Sequence, residues 1–277
     1  MSNKDKKVIK EFGEEWVKFD YSSSNINTQK LKENFDQYFC IFPWEILPED
    51  AIGFDMGGGT GRWAQFVAPR VKKLNFIEPS DAINVAKNNL INHSNVTYLR
   101  ETTESCTIEP ESQDFGYSLG VLHHIPDTSA AISACAKLLK PGAPLLLYLY
   151  YDFENRPWWF RRLWRISDFI RRIIYRLPPS LKHIITDIIA VLVYVPFTTF
   201  SRLIERIGFK VDHVPLSYYR KCSFYTMRTD ARDRFGTPLE HRFSRKEISE
   251  MMAGAGLVNV RFSEKAPYWC VVGIKDK

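Results

Sequence analysis

The feature that most constrains this chain is Asp55-Met56-Gly57-Gly58-Gly59-Thr60-Gly61, a glycine loop placed directly behind the apolar run Ile52 to Met56 and directly ahead of a helical pattern. A strand that turns through glycines into a helix is the ligand-binding edge of an open α/β sheet, because glycines let backbone N–H groups approach a ligand closely. The surrounding hundred residues keep the same rhythm. A helix is expected from Arg62 to Ala68, a strand from Lys73 to Ile77, a helix from Ala82 to Asn89, then strands Val96 to Leu99 and Phe115 to Leu119, helix Ser129 to Leu139 and strand Pro144 to Tyr150. Strand–helix alternation with short connections means βαβ units and a parallel sheet.

Ahead of this core, helical patterns surround Phe12 to Phe19 and run from Thr28 to Tyr38. Beyond Asp152 the style changes: residues 156 to 210 are helical in pattern and rich in Trp, Arg and Ile, and 211 to 242 are aromatic and irregular. The α/β signal then returns. Ser244, with Glu247 three residues on, forms a capping box for a helix running to about Ala255, and strands Val258 to Phe262 and Trp269 to Ile274 follow. The expected fold class is therefore α/β: a doubly wound, Rossmann-like, mainly parallel seven-stranded sheet with a helical insertion after the fifth strand. Its parts are an N-terminal helical segment over the cofactor (1–50), a cofactor-binding core (51–151), a basic, aromatic insertion acting as lid or as substrate or membrane element (152–242), and a closing helix and strands (243–277).

Composition narrows the classes. Apolar residues at 45% and charged residues at 25% exclude disorder and coiled-coil readings. The five cysteines, Cys40, Cys106, Cys135, Cys222 and Cys270, form no C-x-x-C pair and are odd in number, which argues against a disulfide framework or a structural zinc; no metal is expected, and a reducing cytoplasm is the natural setting. The polar, lysine-rich start lacks an apolar signal region. The longest apolar run, Ile184 to Phe200, contains Thr186, Asp187 and Pro196 and is shorter than the roughly 20 residues of a spanning helix, so no transmembrane segment is expected.

The loop itself excludes some ligands. Gly61-Arg62-Trp63 lacks the lysine and hydroxyl of a P-loop, and Arg62 stands where a dinucleotide fingerprint needs its third glycine. Glu78, 17 residues past Gly61 at the end of the next strand, can accept hydrogen bonds from both hydroxyls of a ribose. Together the loop and Glu78 point to a nucleoside-bearing cofactor.

Ile52 to Ala64 resembles the first motif of class I S-adenosylmethionine (SAM)-dependent methyltransferases. Ser112 to Asp127, containing Leu119-Gly120-Val121-Leu122-His123-His124, is similar to their fourth-strand motif, and Leu138 to Pro144 to the turn before their fifth strand. The resemblance covers roughly half the chain. It implies SAM as cofactor, held by Asp55, Gly57, Gly58, Gly59, Gly61, Glu78 and Leu119, with Thr102 or Thr103 receiving the adenine where relatives often have Asp, and with Tyr21 closing from the N-terminal segment. Many relatives carry Cys at the position of Gly58, which is expected to contribute mainly backbone. Candidates for a general base are His123, His124, His241 and Tyr150, at the sheet edge where an acceptor should lie.

The insertion carries the acceptor information. From Arg156 to Lys182 there are eight basic residues (Arg156, Arg161, Arg162, Arg165, Arg171, Arg172, Arg176 and Lys182) against Asp168, a local excess of +7 beside +6 for the whole chain. Trp159, Leu163, Ile166, Ile170, Ile173 and Leu177 recur at helical spacing, so three readings stand: peripheral contact with an anionic membrane through 156–182, at the inner membrane; a grip on a phosphorylated acceptor; or a lid helix packed on the core through Trp159, Leu163 and Ile170. Nucleic acid is disfavoured, since that spacing would bury the aromatics. Weak likeness of 153–160 and 223–230 to bacterial envelope-glycan or natural-product methyltransferases suggests a small-molecule or lipid-linked acceptor, a sugar or related metabolite. The rival class is a non-catalytic nucleoside-cofactor-binding protein acting through the basic helix.

Overall fold

The computed structural model describes residues 28–211, 214–236 and 238–277, and these divide into two compact units. One contains the described residues up to Tyr151 together with Leu239–Lys277; the other is Asp152–Pro238, so residues 239–242 sit with the core and not with the insertion. The helical pattern expected around Phe12 to Phe19 lies outside the described residues.

In the first unit, seven strands among the described residues form one sheet: β1 (Ile52–Met56), β2 (Lys73–Ile77), β3 (Val96–Leu99), β4 (Phe115–Leu119), β5 (Pro144–Tyr148), β6 (Leu257–Phe262) and β7 (Cys270–Lys275). Their order is β3-β2-β1-β4-β5-β7-β6, with β7 antiparallel to both neighbours and every other pairing parallel. The expected α/β class and seven-stranded, mainly parallel sheet are thus observed. Strand order reverses between β1 and β4, which is where such a sheet opens a ligand crevice. Across that junction Gly53 lies opposite Phe115, and Phe54 opposite Gly116. A Cβ on either glycine would fall 2.2 Å from the ring facing it, so each ring occupies the space its partner lacks.

Apolar layers cover both faces. α1 (Thr28–Tyr38) brings Phe35 and the following Phe39 onto Trp63, Val67 and Phe115, while α4 (Thr128–Leu138) buries Ala131, Ile132 and Cys135 against Phe54, Leu145 and Leu147 on the other face. The Asp127 carboxylate caps α4 by accepting from Ala130 N–H at 2.9 Å. The helix expected over Arg62 to Ala68 is shorter, α2 being Ala64–Val67 followed by a 3₁₀ turn at Ala68–Arg70, because Pro69 cannot donate to an α-helical ladder. α3 spans Ala82–Asn89 as expected. The last helix, Arg245–Gly254, carries the full capping box: Ser244 Oγ accepts from Glu247 N–H, and the Glu247 carboxylate accepts from Ser244 N–H. All five thiols are free.

The second unit holds α5 (Trp158–Ile174), α6 (Pro179–Ile189), α7 (Val195–Arg206) and α8 (Phe224–Gly236). A π-helical turn, Ala190–Tyr194, joins α6 to α7, so that Ser180–Arg206 is one helix of 27 residues, long and apolar enough to cross a membrane. The helix is thus longer than the run Ile184 to Phe200 suggests. Asp187 is neutralised by Arg228 and Arg232 at 2.7 and 2.8 Å, Thr186 hydrogen-bonds back to Lys182 O at 2.9 Å, and Pro196, which lacks an N–H for the helical ladder, falls directly after the π segment. The irregular segment expected over 211–242 contains α8, whose Met227, Ala231 and Phe235 line one face and pack with Ile174, Ala190 and Tyr194. Within the helical unit the apolar stripe of α5 stays exposed at Trp159, Leu163 and Ile170. Arg171 leaves the cationic face. It is buried, 2.8 Å from Asp168, and donates to Pro238 O.

Replacing Ser244 by Ala removes the capping box, and the urea midpoint of the core should fall by an amount equivalent to about 1 kcal/mol with unchanged denaturant slope.

Candidate cofactor and acceptor site

At the carboxyl end of β1 the chain turns under two hydrogen bonds, from Gly57 and Gly58 N–H to Ile77 O at 2.8 and 3.1 Å. Gly57, Gly59 and Gly61 have φ of 77°, 59° and 80°, the left-handed region that glycine enters without strain. Their surroundings differ. A Cβ at 57 would strike Val121 and one at 61 would strike Leu90, whereas one at Gly59 would meet nothing within 4 Å. Gly59 is therefore the point at which the loop backbone faces open space. Gly58 departs from expectation: a Cβ there would sit 2.1 Å from the Phe76 ring, so the ring, and not backbone alone, demands glycine.

Glu78 is buried at the end of β2, with Oε2 accepting from Gly59 N–H at 3.0 Å and Oε1 from Ser80 N–H at 2.9 Å. Each oxygen retains a lone pair for a further donor, so the carboxylate both shapes the loop and stands ready for a diol. Asp55 lies beneath the loop, also buried, and accepts from Tyr117 Oη at 2.9 Å. Burial pushes its pKa up to about 8; the Tyr117 hydrogen bond opposes this, and the Glu78 charge adds to it. Thr102 is tied to Ser105 through both backbone and hydroxyl, while Thr103 is the buried member of the pair. Leu119 is half-buried at the end of β4, next to Gly120 in the left-handed region. Tyr21 lies outside the described residues.

The four base candidates meet beyond β4 and β5. His123 and His124 occupy a buried 3₁₀ turn, Leu122–His124. The His123 ring stacks on Tyr150 with centroids 3.8 Å apart, His124 meets the same ring edge-on, and Nδ1 of His124 lies 2.7 Å from Leu239 O. His241 joins through its backbone N–H, which donates to His123 O at 2.9 Å. Neither ring nitrogen of His123 has a hydrogen-bond partner among the described residues. Burial, with His124, Arg242 and His241 nearby, holds its pKa well below the usual imidazole range, so the ring is neutral at pH 7 with one lone pair and one N–H to offer.

Sequence reasoning missed the supports of this cluster. Arg242 lies 5.0 Å over the Tyr150 ring and pairs with the buried Glu240 at 2.8 Å, and Tyr148 bridges to Tyr38 of α1 with centroids 5.0 Å apart. The Glu240-His241-Arg242 run, alternating charge and imidazole just before a helix cap, was the available signal.

The glycine loop, a buried carboxylate at the end of β2 and the β4 turn together define a class I methyltransferase core, and residues 54–147 match the family model of the methyltransferase domain. That segment is a methyltransferase domain of the SAM-dependent type. Over 94 residues the chain is 36% identical to the ubiquinone biosynthesis O-methyltransferase of Saccharophagus degradans, covering 33% of this chain and 40% of that protein. To the protein of the same name from Nitrosomonas europaea it is 35% identical over 105 residues, 37% and 43% of the two chains. The chain thus spans about two fifths of the curated relatives it matches. Among solved structures, an O-methyltransferase family protein from Burkholderia thailandensis superposes with a TM-score of 0.53 at 13% identity, covering 90% of this chain and 57% of that one. Human N-acetylserotonin methyltransferase in complex with SAM gives 0.51 at 13% identity, covering 88% and 52%. The open approach at Gly59 and the buried Glu78 carboxylate fit a nucleoside of this kind.

Asp55 supplies a pH test. Between about pH 4 and about pH 8 the unfolded chain releases the Asp55 proton while the folded chain keeps it, so this group's stabilising contribution is complete at low pH and is lost as pH rises through about 8. Without added cofactor, Asp55→Asn should therefore gain stability relative to wild type as pH rises from about 5 to about 8.5, measured by urea unfolding across that window. A difference that stays constant with pH would mean Asp55 is ionised in the fold.

Proposed function

We propose that this protein transfers a methyl group from SAM to an oxygen of a small-molecule acceptor, a hydroxylated metabolite such as a sugar or a lipid-linked relative of one. The observation that carries this reading is the pairing of Glu78 with the one glycine of the loop that faces open space. Oxygen as the acceptor atom is supported by the names of the relatives matched across the core. SAM supplies an electrophilic methyl carbon; the chain's residues supply position, desolvation and a place for the acceptor proton.

Glu78 would receive the ribose hydroxyls, the N–H groups around Gly59 and Gly61 would line the cofactor's approach, and Thr103 is favoured over Thr102 for the adenine because the Thr102 hydroxyl is already engaged with Ser105. Asp55, mostly protonated at neutral pH, would ionise when a cationic group settles above it, which couples cofactor binding to proton release. Neutral His123, stacked on Tyr150, is the favoured base; His124 and His241, held to Leu239 and His123, position it. The basic insertion, residues 156–182, is assigned peripheral contact with the inner, anionic membrane surface of a cytoplasmic protein.

Calorimetry with SAM should give micromolar affinity, and Glu78→Ala should weaken it about ten- to a hundredfold, roughly 1.5–3 kcal/mol of charge-assisted hydrogen bonding. Glu78→Gln, which keeps an acceptor for Gly59 N–H, should lose less. Absence of SAM binding to folded wild-type protein at millimolar concentration would exclude the proposal.

His123→Ala should leave SAM affinity within about twofold and lower release of S-adenosylhomocysteine, assayed across a panel of hydroxylated acceptors, by about a hundredfold or more. Because the His123 pKa is depressed, the wild-type rate should stay level as pH falls through the ordinary imidazole pKa of about 6.5. Loss of SAM affinity in the variant, with turnover per bound cofactor unchanged, would make His123 a packing residue.

A further inference from the structure

In the helical unit Asp152–Pro238, outside the cluster of Ile174, Ala190, Tyr194, Met227, Ala231 and Phe235, two helices bury polar side chains and expose large apolar ones. Along Ser180–Arg206 the buried positions are Thr186, Ala190, Tyr194, Thr198 and Ser201, and the hydroxyls of Thr186, Thr198 and Ser201 donate to carbonyls of their own helix. The positions turned outward are Ile184, Ile188, Leu192, Phe197, Phe200 and Leu203, with Ile184 57%, Leu192 68% and Leu203 59% exposed. α5 repeats the pattern. Its inward face holds the buried Asp168–Arg171 ion pair, while Leu163, Ile166, Phe169, Ile170 and Ile173 face out. A domain folded for water buries its large apolar side chains and exposes its charges. Two helices that leave most of their large apolar side chains exposed, both packed on α8, are folded for a different surrounding.

What that surrounding is follows from charge and from the extent of the apolar faces. Residues 152–238 hold sixteen Lys and Arg against eight Asp and Glu, a net +8 in a chain of +6, so the rest of the protein is slightly acidic. Arg162, Arg165 and Arg172 are exposed on α5 beside its apolar face and Arg176 just past its end, with the Arg162 guanidinium 4.7 Å over the exposed Trp158 ring. Cations and tryptophan bordering an apolar helix face match the headgroup boundary of an anionic bilayer. A second copy of the chain would bring a second set of the same cations into the interface, whereas an anionic bilayer neutralises them. A crossing helix would be apolar all round, whereas here one side is occupied by Thr, Ala and Ser against the unit's own core.

We infer that the helical unit is a monotopic membrane element: α5 and the long helix Ser180–Arg206 lie along an anionic phospholipid surface with their apolar faces sunk to the acyl boundary and their arginines among the headgroups. This rests on the peripheral contact proposed for 156–182 and extends it from surface attraction to insertion, with the 27-residue helix as the principal inserted element. It needs no cofactor.

The test uses the full chain and vesicles of phosphatidylglycerol with phosphatidylcholine. Wild type should float with them, part of the binding should persist in high salt, and acyl-chain-brominated lipid should quench tryptophan fluorescence. The variant Ile188→Gln, Leu192→Gln, Leu203→Gln changes only side chains that are already exposed, so its unfolding midpoint should hold while partition falls about a hundredfold. The variant Arg162→Gln, Arg165→Gln, Arg172→Gln should instead lose the preference for phosphatidylglycerol over phosphatidylcholine. Flotation fully abolished by salt, without quenching and unchanged in the apolar variant, would overturn insertion while leaving surface contact standing. No flotation of wild type would remove both. A wild-type dimer in light scattering that the apolar variant splits, with vesicle binding unaffected, would assign the face to a second copy and overturn the inference.

Discussion

The cofactor-binding core depends on aromatic rings laid over glycines. Phe115 covers Gly53, Phe54 covers Gly116 from the opposite face, and Phe76 covers Gly58. These three contacts tie β1 and its loop to β4 on one side and to β2 on the other, at the place where strand order reverses. A side chain at any of the three glycines would have to displace a buried ring, and close-packed interiors yield little to such changes. The loop's shape is therefore held from below by packing, which leaves its upper surface at Gly59 clear. Rigid support with an open top is what a backbone-lined ligand site requires.

Electrostatics follow from the same burial. Asp55 and His123 are both enclosed and both are pushed toward their neutral forms, one by raising a carboxyl pKa and the other by lowering an imidazole pKa. They sit at the ends of adjacent strands, Asp55 on β1 and His123 just beyond β4. An acid that keeps its proton and a base that lacks one are arranged around the crevice. Glu78, whose carboxylate accepts two backbone N–H groups, supplies the negative charge between the loop and β2.

Much of the core was legible because its signals are local. The strand Ile52–Met56, the glycine run, the Ser244–Glu247 capping box and the helix Thr28–Tyr38 are each specified by residues within one turn or one strand of each other. Gly58 was misjudged because its constraint comes from Phe76, 18 positions away. The helical unit was harder for a related reason. Periodicity reveals that a helix has an apolar face but not whether that face turns in or out, so Trp159, Leu163 and Ile170 read equally well as packing or as surface. Asp187 looked like a bar to a long apolar helix until Arg228 and Arg232, more than forty residues on, paired with it. In α8 the same arginines concealed the Met227–Ala231–Phe235 face that packs inward.

The π turn at Ala190–Tyr194 has a consequence for how this unit can vary. Its buried positions Thr186, Ala190, Tyr194 and Thr198 recur every four residues, a spacing that on a uniform α-helix of 3.6 residues per turn would drift by about 40° at each step. The wider π turn takes up part of that drift and keeps the buried positions on one side from Thr186 to Ser201. Length is thus fixed where identity is not. Homologous chains can exchange one aliphatic residue for another along the outer stripe, but a single deletion between 190 and 194 would rotate everything beyond it by about 100°, carrying Thr198 and Ser201 out of the packed core and Phe197 and Phe200 toward it. Across relatives, this stretch should accept substitutions freely and insertions or deletions hardly at all.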